Sequence, residues 1–300
     1  MESPSKHRGS GARLGSLLSQ ERIAGSLLGA PLLVWQLSFF LAPLVMMLAM
    51  TFWSVRSYRL VFDMSLQAWS DVFSSPYFYG IYARTLLLAL GSAALATAAA
   101  LPLAYAVAFH VSGARRRLLL ATLIMPYFTS YLVRSYTWRF ILEDHGVINA
   151  LIRVAGVGPV RFQGSIAALL IGYMGYFFCL VAFVVSLGMM AVDQRLMEAA
   201  RNLGASPRQV FINVVLPLSR TAIVTAFALG FTLALGDYVV PSYIGGGTRP
   251  TLSILIVNTI QGQSNYPRAA VLATVMLGTL AVVLALGQRL AFRSRSPGHA

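Results

Sequence analysis

Residues 193–217 read DQRLMEAARNLGASPRQVFINVVLP and lie between two long apolar stretches of the chain. Their pattern predicts two short helices joined by a tight turn. The first helix is expected to end at Gly204, because glycine readily takes the left-handed backbone conformation that closes a helix. Ser206 is suited to cap the second helix, and Pro207 falls in its first turn, where a missing N–H is harmless.

The second helix carries an apolar stripe at helical spacing, made of Val210, Phe211, Val214 and Val215. The pair Leu216-Pro217 is expected to break this helix before the next apolar stretch. The loop is therefore folded and amphipathic, and we expect its exposed apolar side to bind a protein partner. The alternative is a helix that lies on the surface without a partner.

The composition of the whole chain indicates a membrane protein. Of its 300 residues, 57% are hydrophobic and only 11% are charged, and the mean hydropathy is +0.71. A soluble domain has roughly 25% charged residues. These values exclude a disordered chain and argue against a soluble globular enzyme. They favour a polytopic membrane protein, and the length suffices for about six spans of ~20 apolar residues each.

The apolar runs predict six membrane-spanning helices, at residues 27–53, 81–111, 118–138, 165–192, 221–244 and 269–290. The first run exceeds the ~7–15 residues of a signal-peptide core, so we interpret it as a span. The polar, basic residues 1–28 are expected to form a cytoplasmic tail. Pro102, Pro126 and Pro241 fall within or at the ends of spans, where we expect kinks or close packing.

The chain is basic, with 23 Lys and Arg against 9 Asp and Glu and a net charge of +14. In a soluble protein this balance would suggest nucleic acid. In a membrane protein it reflects the enrichment of Lys and Arg in cytoplasmic loops, so no nucleic-acid partner is expected. With both termini in the cytoplasm, 14 of the 23 basic residues lie inside. The run Arg115–Arg117 is the sharpest of these anchors.

The loop quoted above also has a family signature. Glu198-Ala199-Ala200 is followed after three residues by Gly204, and nine further residues separate Gly204 from Val214. One residue later comes Leu216-Pro217. This spacing resembles the EAA loop of ABC-importer permease subunits, with Val214 in place of the usual isoleucine.

Other phrases are similar to one branch of that family, the spermidine/putrescine-type permeases. They are Tyr131–Trp138 (YLVRSYTW), Gly146–Asn149 (GVIN), and Leu235–Tyr238 (LGDY) with Pro241 and Gly245-Gly246. The resemblance covers roughly residues 30–290. Related branches carry iron, phosphonates, thiamine, opines or 4-aminobutyrate, and these solutes stay open as alternatives.

The resemblance implies an all-α, six-span permease with the type I ABC-importer fold in the bacterial inner membrane. Its permease domain would span residues 29–290, with the coupling loop at 193–217 and a cytoplasmic tail at 291–300. The implied partners are a second permease subunit, two ATPase subunits, a periplasmic substrate-binding protein and membrane lipid. The coupling-loop residues would be Glu198, Ala199, Ala200, Gly204, Ser206, Pro207, Val214, Leu216 and Pro217.

The chain lacks the residues that ATP hydrolysis requires. A P-loop places a lysine on the phosphates, and Lys6, the only lysine, stands in the tail without that motif. The protein is therefore expected to be no enzyme and to hold no cofactor, with ATP-Mg bound by the partner ATPase. The histidines are scattered and no metal-ligand spacing is present, so no metal is expected.

Asp237 is the only acid inside a predicted span, and an intramembrane acid suggests function. It could attract a cationic substrate, or instead pair with Arg134 or make a helix-end contact. Aromatic side chains nearby could offer cation–π faces to a polyamine, although ordinary packing is the alternative. The substrate-path candidates are Asp237, Tyr238, Tyr127, Tyr131, Arg134, Tyr173 and Tyr176.

Two other classes are weighed against this interpretation. A secondary transporter driven by an ion gradient would place ionisable residues deep in the membrane, where only Asp237 is a candidate. An integral-membrane enzyme would need a catalytic cluster, and no nucleophile–base pair is evident in the sequence. Neither class accounts for the spacing of the EAA loop.

Overall fold

A computed structural model of the chain describes residues 31–56, 59–156, 158, 160–246 and 249–292. The predicted N-terminal tail (1–28) and residues 293–300 of the predicted C-terminal tail lie outside the described residues. Nearly all of the described chain is helical, and its two short strands, β1 (Ser54–Arg56) and β2 (Arg59–Val61), form an antiparallel hairpin.

The helices are numbered in chain order. The long ones are α1 (Pro31–Met50), α3 (Pro76–Phe109), α7 (Ile166–Met190) and α13 (Tyr266–Phe292), and each is long and apolar enough to cross a membrane. The others are α2 (Gln67–Phe73), α4 (Gly113–Ile124), α5 (Tyr131–Ile141), α6 (Val147–Val154), α8 (Gln194–Asn202), α9 (Pro207–Leu218), α10 (Arg220–Leu235), α11 (Val239–Tyr243) and α12 (Leu252–Gln263).

The predicted third span (118–138) is a bent pair of helices, with its break at Pro126, where a kink or close packing was expected. α4 passes into a 3-10 turn at Met125–Phe128, and α5 leaves it at an angle of 92°. The break coincides with Pro126, whose carbonyl accepts hydrogen bonds from the Thr129 hydroxyl (2.6 Å) and from Arg134 Nη1 (2.8 Å). Polar side chains thus satisfy a carbonyl that the interrupted helix leaves free.

The predicted fifth span (221–244) is also interrupted. α10 ends at Leu235, and the separate short helix α11 follows after Gly236, Asp237 and Tyr238. The predicted span therefore contains two helices and a break between them. The α9–α10 junction at Ser219 is bent as well, by 69°.

The segments between the spans on the outer side contain more structure than the sequence suggested. The β1–β2 hairpin and α2 precede α3, α6 lies between α5 and α7, and the twelve-residue α12 occupies half of residues 245–268. A small core joins two of these elements, α2 and α12, to the outer ends of α3 and α13. Its fully buried members include Val72, Leu252 and Val271.

The main core lies where α3, α7 and α10 cross. α3 presents a row of buried alanines, including Ala93, Ala96 and Ala100, toward the larger buried side chains of α7. At Gly230 of α10 an added Cβ would meet Phe177, Val181 and Ala93 at 3.4–3.5 Å. Small residues let helix backbones approach closely, which is how helices associate inside a membrane.

The first span is far more exposed than the other long helices, and it contacts α13 mainly through its second half, within the described residues. Between Pro31 and Met50 no residue is buried. A π-turn spans Leu37–Leu41, in which the Ala42 N–H donates to the Leu37 carbonyl, and Pro43 follows. The wider turn accommodates a proline that cannot donate to the ordinary helical ladder.

Candidate functional site

The α8–α9 loop, residues 193–218, has the predicted turn between its two helices. Asp193 begins the loop, and its Oδ1 accepts from the Arg195 N–H at 2.9 Å. α8 ends before Gly204, whose φ of +86° is the predicted left-handed conformation. The next amide, that of Ala205, donates to the Ala200 carbonyl at 3.0 Å and closes the helix end.

Ser206 and Pro207 are confirmed as the start of α9. The Ser206 hydroxyl accepts from the Gln209 N–H at 3.3 Å, and Gln209 Oε1 accepts from the Ser206 N–H at 2.7 Å. This reciprocal pair is a capping box, which the sequence analysis missed. The signal was present, because serine followed three residues later by glutamine is the sequence pattern of that motif.

The apolar stripe of α9 does not face outward as expected. Val210 and Val215 are fully buried, and Phe211 and Val214 are half-buried against the core of this chain. The stripe therefore holds the loop onto the permease itself. The large apolar side chains that the loop exposes are different ones, namely Leu196, Leu203, Ile212 and Leu218, and Leu203 is 89% exposed.

The predicted helix break at Leu216-Pro217 is wrong. The helix widens into a π-turn at Phe211–Val215, in which the Leu216 N–H donates to the Phe211 carbonyl, and it continues to Leu218. The same arrangement of π-turn and proline occurs in α1. The chain bends only at the next residue, Ser219, whose buried hydroxyl has no hydrogen-bond partner among the described residues.

The remaining loop residues divide by exposure. Half-buried members pack toward the core and exposed members face away from it. The half-buried ones are Ala200, Val214 and Leu216, and the exposed ones are Glu198, Ala199, Gly204, Ser206, Pro207 and Pro217. The Glu-Ala-Ala segment thus presents a largely exposed surface on a loop with a fixed backbone.

The start of α9 lies beside the end of α3. The rings of Phe211 and Tyr105 meet edge to face at 5.3 Å. A mostly apolar groove of about 540 Å³ separates the two helices, and it is lined by Ala98, Leu101, Pro102, Tyr105, Pro207, Arg208 and Phe211. Beyond the bend, Arg220 Nη2 donates to the Ala291 carbonyl near the end of α13 at 2.6 Å. The loop is thus connected to three spans.

A second constellation surrounds the break between α10 and α11. Asp237 is 6% exposed, and its carboxylate accepts hydrogen bonds from the Tyr131 hydroxyl and from two backbone amides. Val239 N–H donates to Oδ1 and Val240 N–H donates to Oδ2, each at 3.0 Å. Of the alternatives left open for this residue, the helix-end contact is the one observed, since the carboxylate caps α11.

Aromatic rings continue from this carboxylate toward the break in the third span. Tyr131 stacks on Tyr176 with ring centroids 4.0 Å apart, and Tyr127 lies parallel to Tyr176 at 6.4 Å. The Arg134 guanidinium lies 5.6 Å from the centre of the Tyr176 ring. Its Nε is buried and has no hydrogen-bond partner in the described part of the chain. We call these four residues and Asp237 the tyrosine–aspartate cluster.

Five of the seven predicted path residues thus come together. The other two are not part of this cluster. Tyr173 is fully buried in the main core near Phe177, and Tyr238 is exposed at the break beside Asp237. The sequence analysis missed the contact between Tyr136 and Tyr243, whose ring centroids are 4.4 Å apart. Among the residues that the structure describes, no group of His, Cys, Asp or Glu could hold a metal ion.

Comparison with known sequences identifies relatives over most of the chain. A family model described as "Binding-protein-dependent transport system inner membrane component" matches residues 100–296. The spermidine/putrescine permease PotB of Haemophilus influenzae is 26% identical over 258 residues, which is 83% of this chain and 88% of that protein. PotB of Escherichia coli is 30% identical over 222 residues, or 70% of this chain and 79% of that protein.

The fold also matches a solved structure. A chain in the crystal structure of a bacterial ABC transporter that imports the acidic polysaccharide alginate superposes with a TM-score of 0.76. The match covers 95% of this chain and 100% of that one, at 17% sequence identity. At this identity the likeness concerns the fold alone.

Proposed function

This chain belongs to the family of binding-protein-dependent transport system inner membrane components, and from that premise we propose that it carries polyamines across the membrane. It is a multi-pass permease of an ABC importer in the inner membrane, it works with a periplasmic binding protein, and it is not a catalytic subunit. What the family does not specify is the solute, the residues that meet it and the remaining subunits.

The polyamine assignment is carried by one observation. Two permeases named for spermidine and putrescine align with 70–83% of this chain. The tyrosine–aspartate cluster supports it, because tyrosine faces attract cations and a carboxylate sits at the end of the row. In this proposal the protonated amines pass along Tyr127, Tyr176 and Tyr131.

A second candidate solute is a small zwitterion such as 4-aminobutyrate. It is favoured by Arg134, whose Nε is a buried donor without a hydrogen-bond partner among the described residues. A guanidinium in such a position suits a carboxylate better than an ammonium group. Competition between the two solutes therefore belongs in the test of function.

For coupling, we infer that the α8–α9 loop docks on an ATPase subunit. Its exposed residues Glu198 and Ala199 stand beside the exposed Leu203, on a backbone fixed by the capping box and by the turn at Gly204. A rigid loop can transmit movement of a partner to the spans it is bonded to. The complex would contain a second permease and two ATPase subunits, which bind ATP-Mg.

The test is uptake of labelled spermidine into vesicles that contain this chain, its co-expressed partner subunits and its binding protein. ATP is supplied or withheld on the ATPase side, and putrescine, 4-aminobutyrate and ferric ion are added as unlabelled competitors. ATP-dependent uptake that putrescine inhibits is expected. Selective inhibition by 4-aminobutyrate or ferric ion would reject the polyamine proposal.

The same vesicles test the docking surface. Leu203→Asp places a charge at the most exposed apolar position of the loop and is expected to abolish both ATPase co-purification and uptake. Leu218→Asp, at an exposed leucine on the other end of α9, is the matched control and is expected to keep ATPase bound. Equal retention of the ATPase by both variants would rule out docking through Leu203.

A further inference from the structure

The turn from α3 into α4 carries a concentrated positive charge. Arg115, Arg116 and Arg117 lie among the first five residues of α4, and His110 directly follows the last residue of α3. Arg116 is directed inward, because its Nε donates to the Val111 carbonyl at 2.7 Å and its Nη2 to the Ala108 carbonyl at 3.0 Å. It therefore fixes the turn and leaves its two neighbours outside.

Arg115 and Arg117 are exposed and, within the described residues, form no hydrogen bond or ion pair. Beside them is a cavity of about 420 Å³, lined by His110, Val111, Ser112, Ala114 and Arg115. Its volume falls within the ~300–1,000 Å³ range of small-molecule sites. The site thus combines free cationic donors with room for an anionic group.

Apolar side chains next to this cavity indicate that a ligand bound there would also have an apolar part. Leu118 and Leu119 follow on α4 and are 67% and 38% exposed. They lie three and four residues after Arg115, so all three share one face of the helix. A ligand that fits this face has an anionic head and an apolar body.

The side of the membrane on which the α3–α4 turn lies follows from its contacts. The His110 and Tyr105 rings are 5.3 Å apart, and Tyr105 in turn meets Phe211 of α9 at the same distance. The turn therefore lies on the side of the α8–α9 loop, where the majority of the basic residues lie. This is the cytoplasmic leaflet, which attracts basic clusters to its anionic lipids.

We propose that the α3–α4 turn is a binding site for an anionic phospholipid of the cytoplasmic leaflet. Arg115 and Arg117 bind the lipid phosphate at the mouth of the cavity, and the acyl chains run along Leu118 and Leu119. The charge complementarity of the cluster and the adjoining apolar face select a lipid over a soluble anion. The site is independent of the solute that the permease carries.

The test uses the purified transporter complex in nanodiscs of phosphatidylcholine, with dioleoyl phosphatidylglycerol titrated in and binding followed by native mass spectrometry. Each basic residue near an anionic surface is worth about fivefold in affinity, so Arg115→Gln with Arg117→Gln is expected to weaken binding about 30-fold. The matched control is Arg139→Gln with Arg161→Gln, two exposed arginines of the outer side, and it should bind like the parent.

Three results would overturn the site. They are unchanged binding in the Arg115/Arg117 glutamine pair, displacement of the lipid by millimolar inorganic phosphate, and lipid binding by the permease subunits alone that is absent from the complete complex with its ATPase subunits. The last would make the turn a protein contact. If the glutamine pair does not assemble, Arg115→Lys with Arg117→Lys decides, because it keeps the charge and should retain the lipid. Its failure to bind in an assembled complex would exclude a charge-based site.

Discussion

Gly204 shows how one backbone conformation can be tested apart from packing. Its φ is +86°, and no heavy atom lies within 4 Å of the position a Cβ would take. A substitution there meets open space, so its cost is the left-handed conformation itself, about 1–2 kcal/mol for an ordinary residue. Asparagine tolerates this conformation better than other side chains do, whereas a β-branched residue is least suited.

We therefore expect a graded effect on the α8–α9 loop. Gly204→Val should abolish ATP-dependent uptake by shifting the loop, Gly204→Asn should reduce it only in part, and both proteins should insert into the membrane normally. Uptake and membrane content are measured together in vesicles. Normal uptake by the valine variant would mean that the turn has no part in coupling.

Tyr131 allows the charge of Asp237 to be separated from its structural role. Tyr131→Phe keeps the stacking on Tyr176 but removes the hydroxyl that donates to the carboxylate. If Asp237 serves mainly to cap α11, this change should lower stability by about 1.5–3 kcal/mol, the range for a hydrogen bond to a charged group. If the carboxylate also attracts the substrate, freeing it should lower the KM for spermidine.

The measurements are the thermal midpoint of the purified complex and the KM for uptake. Tyr238→Phe, at an exposed tyrosine whose hydroxyl makes no hydrogen bond within the described residues, is the control and should leave the midpoint unchanged. An unaltered KM in Tyr131→Phe together with a lowered midpoint would leave Asp237 as a cap only.

At the scale of the elements, α7 and α10 approach so closely that one added methyl group should lower the stability of the complex. A Cβ on Gly188 would overlap the Cβ of Ala222. Gly188→Ala is therefore expected to destabilise the complex by about 1–3 kcal/mol, the usual cost of overpacking. Gly91→Ala is the control, since no heavy atom lies within 4 Å of its added Cβ, and alanine favours the helix. A thermal midpoint lowered equally in both variants would contradict the close crossing.

Some elements can be predicted from the sequence and others cannot, because local chemistry and hydropathy give different information. The capped turn at Gly204 and Ser206 follows from local chemistry, and the long apolar helices α3, α7 and α13 follow from hydropathy. A kink or close packing at Pro126 was expected from the proline, but the size of that bend and the break at Asp237 were not, because hydropathy does not register direction: the residues around both are apolar enough to be counted as span. Their polar groups are satisfied by distant partners such as Arg134 and Tyr131, which only the fold brings near.

The prediction that the apolar stripe of α9 faces a partner was wrong for a related reason. A helical pattern shows that one face is apolar, but it cannot tell whether the core of the same chain or a partner covers that face. Here the core takes Val210 and Val215. Leu203 and Leu196, which the pattern did not single out, are left exposed. The tyrosine–aspartate cluster was predicted as a set of residues, but not as a row, since its order depends on the break between α4 and α5.

The whole molecule raises the question of how many times the chain crosses the membrane. Among the described residues, four helices are long enough alone, and six crossings require the bent pairs α4–α5 and α9–α10 each to count as one. α10 has 16 residues and is about 24 Å long, which is less than the ~30 Å of the hydrocarbon core. Because α9 is bent away from it by 69°, we expect the residues through α11 to complete this crossing. α4, with 12 residues, likewise needs the turn and α5.

The chain offers a direct test because Cys179 is its only cysteine. On a Cys179→Ser background, single cysteines are placed at four positions in turn: Ser112, Asp144, Asn202 and Gln261. Consecutive positions are separated by the α4–α5 pair, by α7 and by the α10–α11 pair. If α4–α5 and α10–α11 each cross the membrane, a membrane-impermeant maleimide should label 144 and 261 in spheroplasts, and 112 and 202 only in inverted vesicles.

Each alternative gives its own pattern. If the α4–α5 pair turned back, positions 112 and 144 would be labelled from the same side, and if the α10–α11 pair did so, 202 and 261 would be. If the orientation were reversed, all four would exchange sides, which would contradict the excess of basic residues on the cytoplasmic side. The alternating pattern is expected, because with six crossings the α8–α9 loop and the Arg115–Arg117 turn share the cytoplasmic face, as the contact between Tyr105 and Phe211 requires.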